Sequence, residues 1–199
     1  MTSQIERGYA KGRARRQQIL DEAMALFGDV GYRAASLREI AARAGISHPG
    51  LLHHFTSKES LLLAVLERRD ETDSAQFDLT GSSGTEVLRH MLDLADYNTT
   101  RPGIVELSCV LAAEATSPDH PAHEFFTDRY ERAVRLCIEA FEQAKQAGQL
   151  NSDVDPEHAA RSFIALMDGL QVQWLLDREG VDMAGTLRQH LARQFTVDL

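Results

Sequence analysis

One stretch of twenty residues, SLREIAARAGISHPGLLHHF at positions 36–55, constrains this chain more than any other. Ser36 is a favoured helix N-cap, and Glu39 three residues later completes a capping-box pattern. Apolar residues then recur at the spacing of one helical face, at Leu37, Ile40, Ala41 and Ala44. Gly45 follows, and glycine commonly ends helices because it enters the left-handed conformation at little cost. The stretch therefore begins with a short helix.

A second short helix follows this glycine. Ser47 can cap it, and Pro49 falls in the first turn, where its missing N–H breaks no hydrogen bond. Leu51 and Phe55 are four residues apart and can both point inward, which leaves an outward face of His48, Pro49, Leu52 and His53. Two short helices joined by a glycine turn form a helix-turn-helix, whose second helix enters the major groove of DNA. The same spacing also fits an αα-hairpin in an ordinary helical bundle.

The net charge of −9 argues against a uniformly basic nucleic-acid binder. The charge is uneven, however, because residues 1–70 hold 11 basic and 8 acidic side chains, a net of +3, and the remaining residues hold 10 and 22, a net of −12. The basic end also holds the helix-turn-helix, so we expect a polyanion-binding surface confined to that end. It includes a basic cluster that can contact phosphates or remain solvated surface: Lys11, Arg13, Arg15 and Arg16.

Several classes of protein are disfavoured by the composition. No run of about 18 apolar residues occurs, so we expect no membrane-spanning helix. The N-terminus is polar and basic and lacks the apolar segment of a signal peptide. Cys109 and Cys137 both lie in apolar helical surroundings, which is typical of reduced, buried thiols. The sequence therefore predicts a cytoplasmic protein.

The periodicity is helical throughout, and 43% hydrophobic residues suffice for a real core. We predict an all-α fold with a three-helix helix-turn-helix DNA-binding domain over residues 1–57, in which residues 1–12 form a flexible arm. A larger helical domain for ligand binding and dimerisation follows over residues 58–199. The predicted helices outside the motif cover residues 13–28, 58–73, 85–98, 102–115, 122–147, 156–178 and 181–195. The glycine- and serine-containing break over residues 72–85 lacks a GxxxxGK[ST] pattern and is predicted to be a linker, not a phosphate loop.

The last two predicted helices are unusually apolar for terminal elements. Such a pair can pack against the same pair of a second copy as a four-helix bundle with two-fold symmetry, or simply close its own domain. We favour a homodimer, because a helix-turn-helix protein normally binds two half-sites. The predicted interface residues are Phe163, Met167, Leu170, Leu187, Leu191 and Phe195.

Several motifs in one register resemble the signature of the tetracycline-repressor (TetR) family. They are Ala44-Gly45-Ile46-Ser47, Leu51 with His54-Phe55, Ser57-Lys58-Glu59 with Leu61, the helix from Ile19 to Phe27, and Gly31-Tyr32 ahead of Ser36-Leu37. The resemblance covers residues 13–66 closely, and beyond about residue 75 only the order and lengths of the helices fit. It implies a two-domain, all-helical, homodimeric regulator, usually a repressor that a small ligand releases from DNA.

The resemblance also implies roles for individual residues. Ser36 and Arg38 would lie near the DNA backbone, and Lys58 would meet a phosphate. The residues at the family's DNA-reading positions are Ser47, His48, Pro49, Leu52 and His53. The family usually has a tyrosine at the position of Leu52, where its hydroxyl meets a phosphate, so that one contact is in doubt. His48 and Pro49 offer no bidentate contact to a base, so DNA shape would contribute to specificity.

Other kinds of site are weakly indicated. An effector pocket would lie in the second domain, and its candidate residues, each of which fits plain core equally well, are Met91, Leu94, Tyr97, Phe125, Phe126, Met167, Gln171 and Trp174. His120 and His123, near Asp119 and Glu124, have metal-ligand chemistry but occupy a connector, and we predict neither a metal nor another cofactor. No GxSxG, HExxH or CxxC motif occurs, so we expect no enzyme activity.

These features together predict a sequence-specific DNA-binding regulator. It would bind a palindromic operator as a homodimer, act most often as a repressor, and leave its operator when an unidentified small-molecule effector binds the second domain. The alternative is a helical module that binds protein or a small molecule and does not use DNA. Leu52 and the negative net charge favour that alternative.

Overall fold

The computed structural model describes residues 2–199, with side chains described from Ala10 onward. This part of the chain forms nine α-helices and no β-strand, which confirms the all-α prediction. The helices are α1 (Thr2–Ala34), α2 (Leu37–Arg43), α3 (His48–His54), α4 (Lys58–Gln76), α5 (Thr85–Asn98), α6 (Pro102–Glu114), α7 (His123–Gln146), α8 (Pro156–Leu176) and α9 (Met183–Ala192). Among these described helices, none combines the length and apolar character needed to cross a membrane.

The chain divides into a first unit of residues 1–69 and a second unit of residues 70–199. The division falls inside α4 and not at the predicted position between residues 57 and 58. The reason lies partly in Arg68, whose guanidinium donates to the Gln17 carbonyl at 2.9 Å and pairs with Asp21 at 2.8 Å. These contacts attach the first half of α4 to α1, so it belongs to the first unit.

The first helix is longer than the sequence suggested. It begins at Thr2, so residues 2–12 extend α1 and do not form the expected arm. No proline interrupts this segment, and alanine, arginine, lysine and glutamine, which dominate residues 10–18, are good helix formers. Regular helical geometry breaks at Gly31 (φ 79°), and the Tyr32 ring then packs edge-on against Phe27, with 5.6 Å between the ring centroids.

The core of the first unit comes from the apolar stripes of its four helices. Its buried side chains include Ile19, Leu20, Ala23, Leu26, Phe27, Ile40, Ala41, Leu51, Phe55, Leu61 and Val65. The predicted inward residues Ile40, Ala41, Leu51 and Phe55 are buried, whereas Leu37, predicted on the same face of α2, is only half-buried. Burial of these side chains fixes which face of α3 is left outward.

The second unit is built around its two longest helices, α7 and α8, which pack along each other. Helices α5 and α9 cover this pair, and α6 packs on α8. Phe141 and Phe163 lie at the centre and are completely buried. The bounds of α5 agree with the prediction, whereas α9 begins later, because the Asp182 side chain caps it by accepting from the Gly185 amide at 2.8 Å.

Candidate nucleic-acid interface

Helix α2 begins where its capping residues place it. The Ser36 hydroxyl accepts a hydrogen bond from the Glu39 amide at 3.1 Å, as the sequence predicts. The other half of the predicted capping box is replaced, because the Glu39 carboxylate accepts from Arg43 at 3.0 Å. Gly45 then turns the chain with φ 64°, a conformation that side chains other than glycine adopt at a cost. Ser36 and Arg38 are left exposed at the start of α2.

Helix α3 presents most of the predicted DNA-reading side chains to solvent. The Ser47 hydroxyl caps the helix by accepting from the Gly50 amide at 3.2 Å. Leu51 and Phe55 are buried, which fixes the rotation of the helix about its axis. The exposed reading residues are Ser47, Pro49 and His53, and the half-buried ones are His48 and Leu52. The motif thus has a buried inner face and a mainly polar outer face.

Two arginines of the predicted basic cluster stabilise the motif itself. Arg15 of α1 donates to the Ala44 carbonyl at 3.0 Å, which satisfies a backbone acceptor at the end of α2. The Arg16 guanidinium lies 4.7 Å from the centre of the Phe55 ring, within the range of a cation–π interaction. Lys11 and Arg13 of the same cluster are exposed. Half of the cluster therefore has a structural role that the sequence pattern did not indicate.

Lys58 and Arg38 differ in how their charges are held. The Lys58 ammonium donates to the Arg33 carbonyl at 3.2 Å and lies 4.5 Å from the centre of the Tyr32 ring. Burial lowers its pKa, and the neighbouring carboxylate of Glu59 opposes that shift. Arg38 is exposed and forms no ion pair with any side chain in residues 10–199. Arg38 is thus the more available of the two cations.

The predicted effector residues of the second unit divide into two groups. Met91, Phe126, Met167 and Trp174 are buried, and Leu94, Tyr97, Phe125 and Gln171 are half-buried. Some have evident structural contacts: Tyr97 lies under the Arg101 guanidinium at 4.0 Å, and the Met91 sulfur accepts from the Cys137 thiol at 3.5 Å. Burial raises the pKa of Cys137 to about 12, so it is an inert core thiol.

The residues predicted for the dimer interface are buried within their own protomer, and the two histidines of the metal alternative contact nearby backbone atoms. All six predicted interface side chains are already buried within the second unit of their own protomer. His123 has its Nδ1 atom 2.8 Å from the Ala115 carbonyl, and His120 accepts from the Ala122 amide at 3.2 Å. Within the described residues no group of three or more potential metal ligands comes together.

A buried ion pair in the second unit was not predicted. The guanidinium of Arg101, the residue before α6, donates to both carboxylate oxygens of Asp73 at 2.9 and 3.0 Å. It also donates to the Asn98 side chain at 2.9 Å. Asp73 is 8% exposed and Arg101 22% exposed, so the pair is largely removed from water. It attaches the last turns of α4 to the junction between α5 and α6.

A second group of polar side chains joins four helices of this unit. The Nε atom of Arg129 in α7 lies 3.1 and 3.0 Å from the two carboxylate oxygens of Asp70 in α4. The neighbouring Tyr130 hydroxyl donates to the carboxylate of Asp168 in α8. On the same helix, Gln171 accepts from the thiol of Cys109 in α6 at 3.7 Å.

Burial and neighbouring charges shift the pKa values of Asp168, Tyr130 and Arg129. Burial raises the pKa of Asp168, against the lowering effects of the Tyr130 hydrogen bond and the Arg129 charge. Burial and the Asp168 carboxylate raise the pKa of Tyr130 to about 12. Burial opposes ionisation of Arg129, but Asp70 and, more weakly, Asp168 raise its pKa. One sequence signal was available, because Asp168 is the only charged residue between Arg161 and Asp177.

The comparisons with known proteins agree with this architecture. Residues 19–65 match the family described as bacterial regulatory proteins, tetR family, and residues 84–196 match the C-terminal region of BetI-type transcriptional repressors. The HTH-type transcriptional repressor Rv1474c of Mycobacterium tuberculosis is 30% identical over 161 residues, which cover 79% of this chain and 80% of that protein.

Solved structures share the fold. A TetR transcription regulator from Haloarcula marismortui superposes with a TM-score of 0.80 at 18% identity, over 92% of this chain and 100% of that one. The repressor SmeT of Stenotrophomonas maltophilia, in its complex with triclosan, gives a TM-score of 0.77 at 23% identity, over 92% of each chain. The family resemblance predicted from the motifs is confirmed. The chain belongs to the TetR family and is a helix-turn-helix regulator of transcription that binds DNA.

Proposed function

We propose that this regulator is a repressor that binds a palindromic operator as a homodimer and releases it when a small molecule binds the second unit. The outer face of α3, with its polar side chains held outward by the buried Leu51 and Phe55, is the observation that carries the proposal. The relative from M. tuberculosis is named a repressor, and SmeT binds triclosan, which supports repression and an effector site here.

The DNA contacts divide into positioning and reading groups. Ser36 and Arg38 position the protein on the phosphate backbone, and Arg38 has a guanidinium available for it. Ser47, His48, Pro49 and His53 face the major groove, where His48 can bond a base edge and Pro49 can meet a thymine methyl group. Leu52 adds an apolar contact.

Lys58 has a smaller part in this scheme than the motif alone suggests. One of its three ammonium protons is engaged by the Arg33 carbonyl, so it contacts a phosphate with the other two.

The exposed face of α8 is the surface proposed for dimerisation. Val172 is 48% exposed and Leu176 84% exposed, and these two residues lie one helical turn apart. Ala165 and Gly169 continue the same face, and a Cβ atom placed on Gly169 would meet nothing within 4 Å. Small residues beside exposed apolar ones allow two copies of α8 to approach closely across a two-fold axis.

This surface can be tested with one charge substitution. We expect Leu176→Glu to convert the dimer into a monomer in analytical ultracentrifugation. Val30→Asp, at a valine of the first unit that is 49% exposed, is the matched control and should remain dimeric. A dimeric Leu176→Glu protein would contradict the proposed surface.

Helix α4 is proposed to carry the effector signal. Its residue Arg68 is held by α1, while its residues Asp70 and Asp73 are held by Arg129 and Arg101 of the second unit. A ligand that shifts α7 or the start of α6 would therefore displace α4 as well. Release requires that the ligand bind the displaced arrangement more tightly than the DNA-binding one.

Selection of random duplex DNA by the purified full-length protein, followed by sequencing, tests the proposed function. We expect enrichment of a palindrome whose two half-sites are about one helical turn apart, or a multiple of it. Enrichment of a single unpaired half-site would contradict the dimer, and no enrichment at low salt by a folded protein would contradict sequence-specific DNA binding.

A further inference from the structure

Histidine is concentrated in the second helix of the helix-turn-helix. Three of the chain's eight histidines, His48, His53 and His54, lie among the seven residues of α3, and residues 1–69 contain no other histidine. His53 is exposed, and His48 and His54 are half-buried. Histidine is the side chain that ordinarily changes its charge between pH 5 and pH 8. The charge of the outer face of α3 can therefore change within the physiological range of pH.

The two imidazoles on this outer face, those of His48 and His53, have no carboxylate beside them. Among the residues with described side chains, only His120 and His158 have a ring nitrogen within 4.0 Å of a carboxylate, and both belong to the second unit. The ring of His53 contacts the ring of His54, with 5.9 Å between their centroids. A proton on His48 or His53 is therefore not stabilised by an acidic side chain of the first unit.

The acids near α3 are held by other partners. The charged and titratable groups on the neighbouring turns of α1, α2 and α4 are Arg15, Arg16, Asp29, Tyr32, Arg38, Glu39, Arg43, Lys58 and Glu59. Asp29 and Glu39 both pair with Arg43, and Glu59 accepts from the Tyr32 hydroxyl at 3.4 Å. The phosphates of bound DNA would thus be the first anions that the imidazoles of α3 meet.

Protonation of His48 and His53 would change the charge of the proposed DNA-contact surface substantially. Of the contact residues proposed above, only Arg38 and Lys58 are cations at pH 8, and α3 contains no lysine or arginine. Two further positive charges would double the cations of this surface in each protomer. Each cation that neutralises a phosphate releases counterions and so strengthens DNA binding. A phosphate beside an imidazole in turn stabilises its protonated form, so that DNA binding and protonation are linked.

We propose that DNA binding by this regulator is coupled to protonation of His53 and His48, which act as proton-dependent DNA contacts. A protonated imidazole donates from both ring nitrogens and so fits a phosphate oxygen or the N7 and O6 acceptors of guanine, whereas the neutral ring has one donor and one acceptor. Affinity for DNA is therefore highest below about pH 6.5 and declines as the pH rises through that region. This coupling rests on the DNA contacts proposed for α3 and adds their regulation by pH.

Binding titrations of the full-length protein at constant ionic strength test the coupling, with the selected palindrome and with a mixed-sequence duplex. We expect the wild-type protein to bind both duplexes about tenfold or more tightly at pH 6 than at pH 8. The double variant His48→Gln with His53→Gln should keep the weaker affinity of pH 8 at both pH values. His53→Arg, whose charge does not titrate, should bind more tightly than the wild type at pH 8 and depend less on pH, a gain that a merely structural role would not produce.

His158→Gln is the matched control, because His158 is an exposed histidine of the second unit, and it should keep the wild-type dependence on pH. Calorimetry of the wild-type protein with DNA in PIPES and in imidazole buffer counts protons without any variant. We expect the binding enthalpies in the two buffers to differ in the sense of net proton uptake. Equal enthalpies, a full pH dependence in the double variant, or its loss in His158→Gln would overturn the coupling.

The same titrations separate this coupling from the proposed function. A palindrome bound with one affinity at every pH would overturn the coupling and leave the proposed function in place. Binding of the mixed-sequence duplex that strengthens at low pH, without selection of a palindrome, would support the coupling and contradict sequence-specific binding. No binding of any duplex at any pH would overturn both.

Discussion

The two units hold their charged side chains in opposite ways. In the first unit the ion pairs of Arg43 and Arg68 are open to water: Arg43 pairs with Glu39 and Asp29, and the Asp21 partner of Arg68 is 61% exposed. In the second unit the Asp73–Arg101 pair is largely buried, and Asp168 is half-buried near Arg129. The first unit thus buries only one of its described charged side chains, Arg69 at its end, whereas the second unit encloses the whole Asp73–Arg101 pair.

This difference matches two tasks. Exposed ion pairs contribute little to stability, so charges near the helix-turn-helix can be redirected to phosphates at small cost. Buried pairs fix the helices that carry them, because removing one partner leaves the other charge in a poor environment. Substitutions of ion-pair residues in the first unit should therefore affect DNA binding more than stability. Substitutions of buried ion-pair residues in the second unit should affect stability more than DNA binding.

The largest effect is expected at the buried pair. Arg101→Met removes two hydrogen bonds to the Asp73 carboxylate and the stacking on Tyr97, and should lower the free energy of unfolding by about 3 kcal/mol. The single tryptophan, Trp174, lies in the second unit, so its fluorescence during urea unfolding reports on that unit.

Arg161→Met provides the comparison for this measurement. It breaks an exposed pair with Glu157 on α8, and should change the free energy of unfolding by less than about 0.5 kcal/mol. Equal losses in the two variants would show that burial does not distinguish these pairs.

A smaller loss is expected at the cap of the DNA-reading helix. Ser47→Ala removes the side-chain acceptor for the Gly50 amide and should cost the first unit about 1 kcal/mol, whereas Ser47→Gly should cost a few tenths. Circular dichroism at 222 nm during unfolding measures the effect, and the Trp174 transition should not move. A shift of both transitions would mean that the two units unfold together.

The smallest effect is a dependence on pH. Burial raises the pKa of Asp168 above its ordinary value of 3.8, so the folded protein binds this proton more tightly than the unfolded chain does. Its contribution to stability is therefore present below pH 3.8 and declines as the pH rises through the raised value. Asp168→Asn should remove this decline, as followed by Trp174 fluorescence over a pH series. If Asp168→Asn keeps the decline in stability with rising pH, that decline originates in a group other than Asp168.

The two units also differ in how far the sequence predicts them. Ser36, Gly45 and Ser47 act on neighbours within a few residues, so local patterns identified the motif and the outward face of α3. The ion pairs of the second unit join residues that are far apart in the sequence, such as Asp70 and Arg129. In the sequence alone, each of these charged residues looks like an ordinary solvated residue on a helix surface. The same limit explains why the six residues predicted for the dimer interface are buried in their own protomer. An apolar stripe in the sequence does not reveal whether it packs on its own core or on a partner. The exposure of Val172 and Leu176, on which the proposed dimer surface rests, became visible only from the fold.

The most direct test of the account is a salt series of binding titrations with the selected palindrome. For wild type, Arg38→Ala and His48→Ala, affinities are measured for the palindrome and for a scrambled duplex. We predict that Arg38→Ala weakens both duplexes alike and lowers the salt slope by about one for each half-site, because it loses a phosphate contact. We predict that His48→Ala mainly reduces the ratio between the affinity for the palindrome and the affinity for the scrambled duplex. Wild-type affinities and slopes in both variants would contradict the assignment of α2 and α3 as the DNA-binding surface.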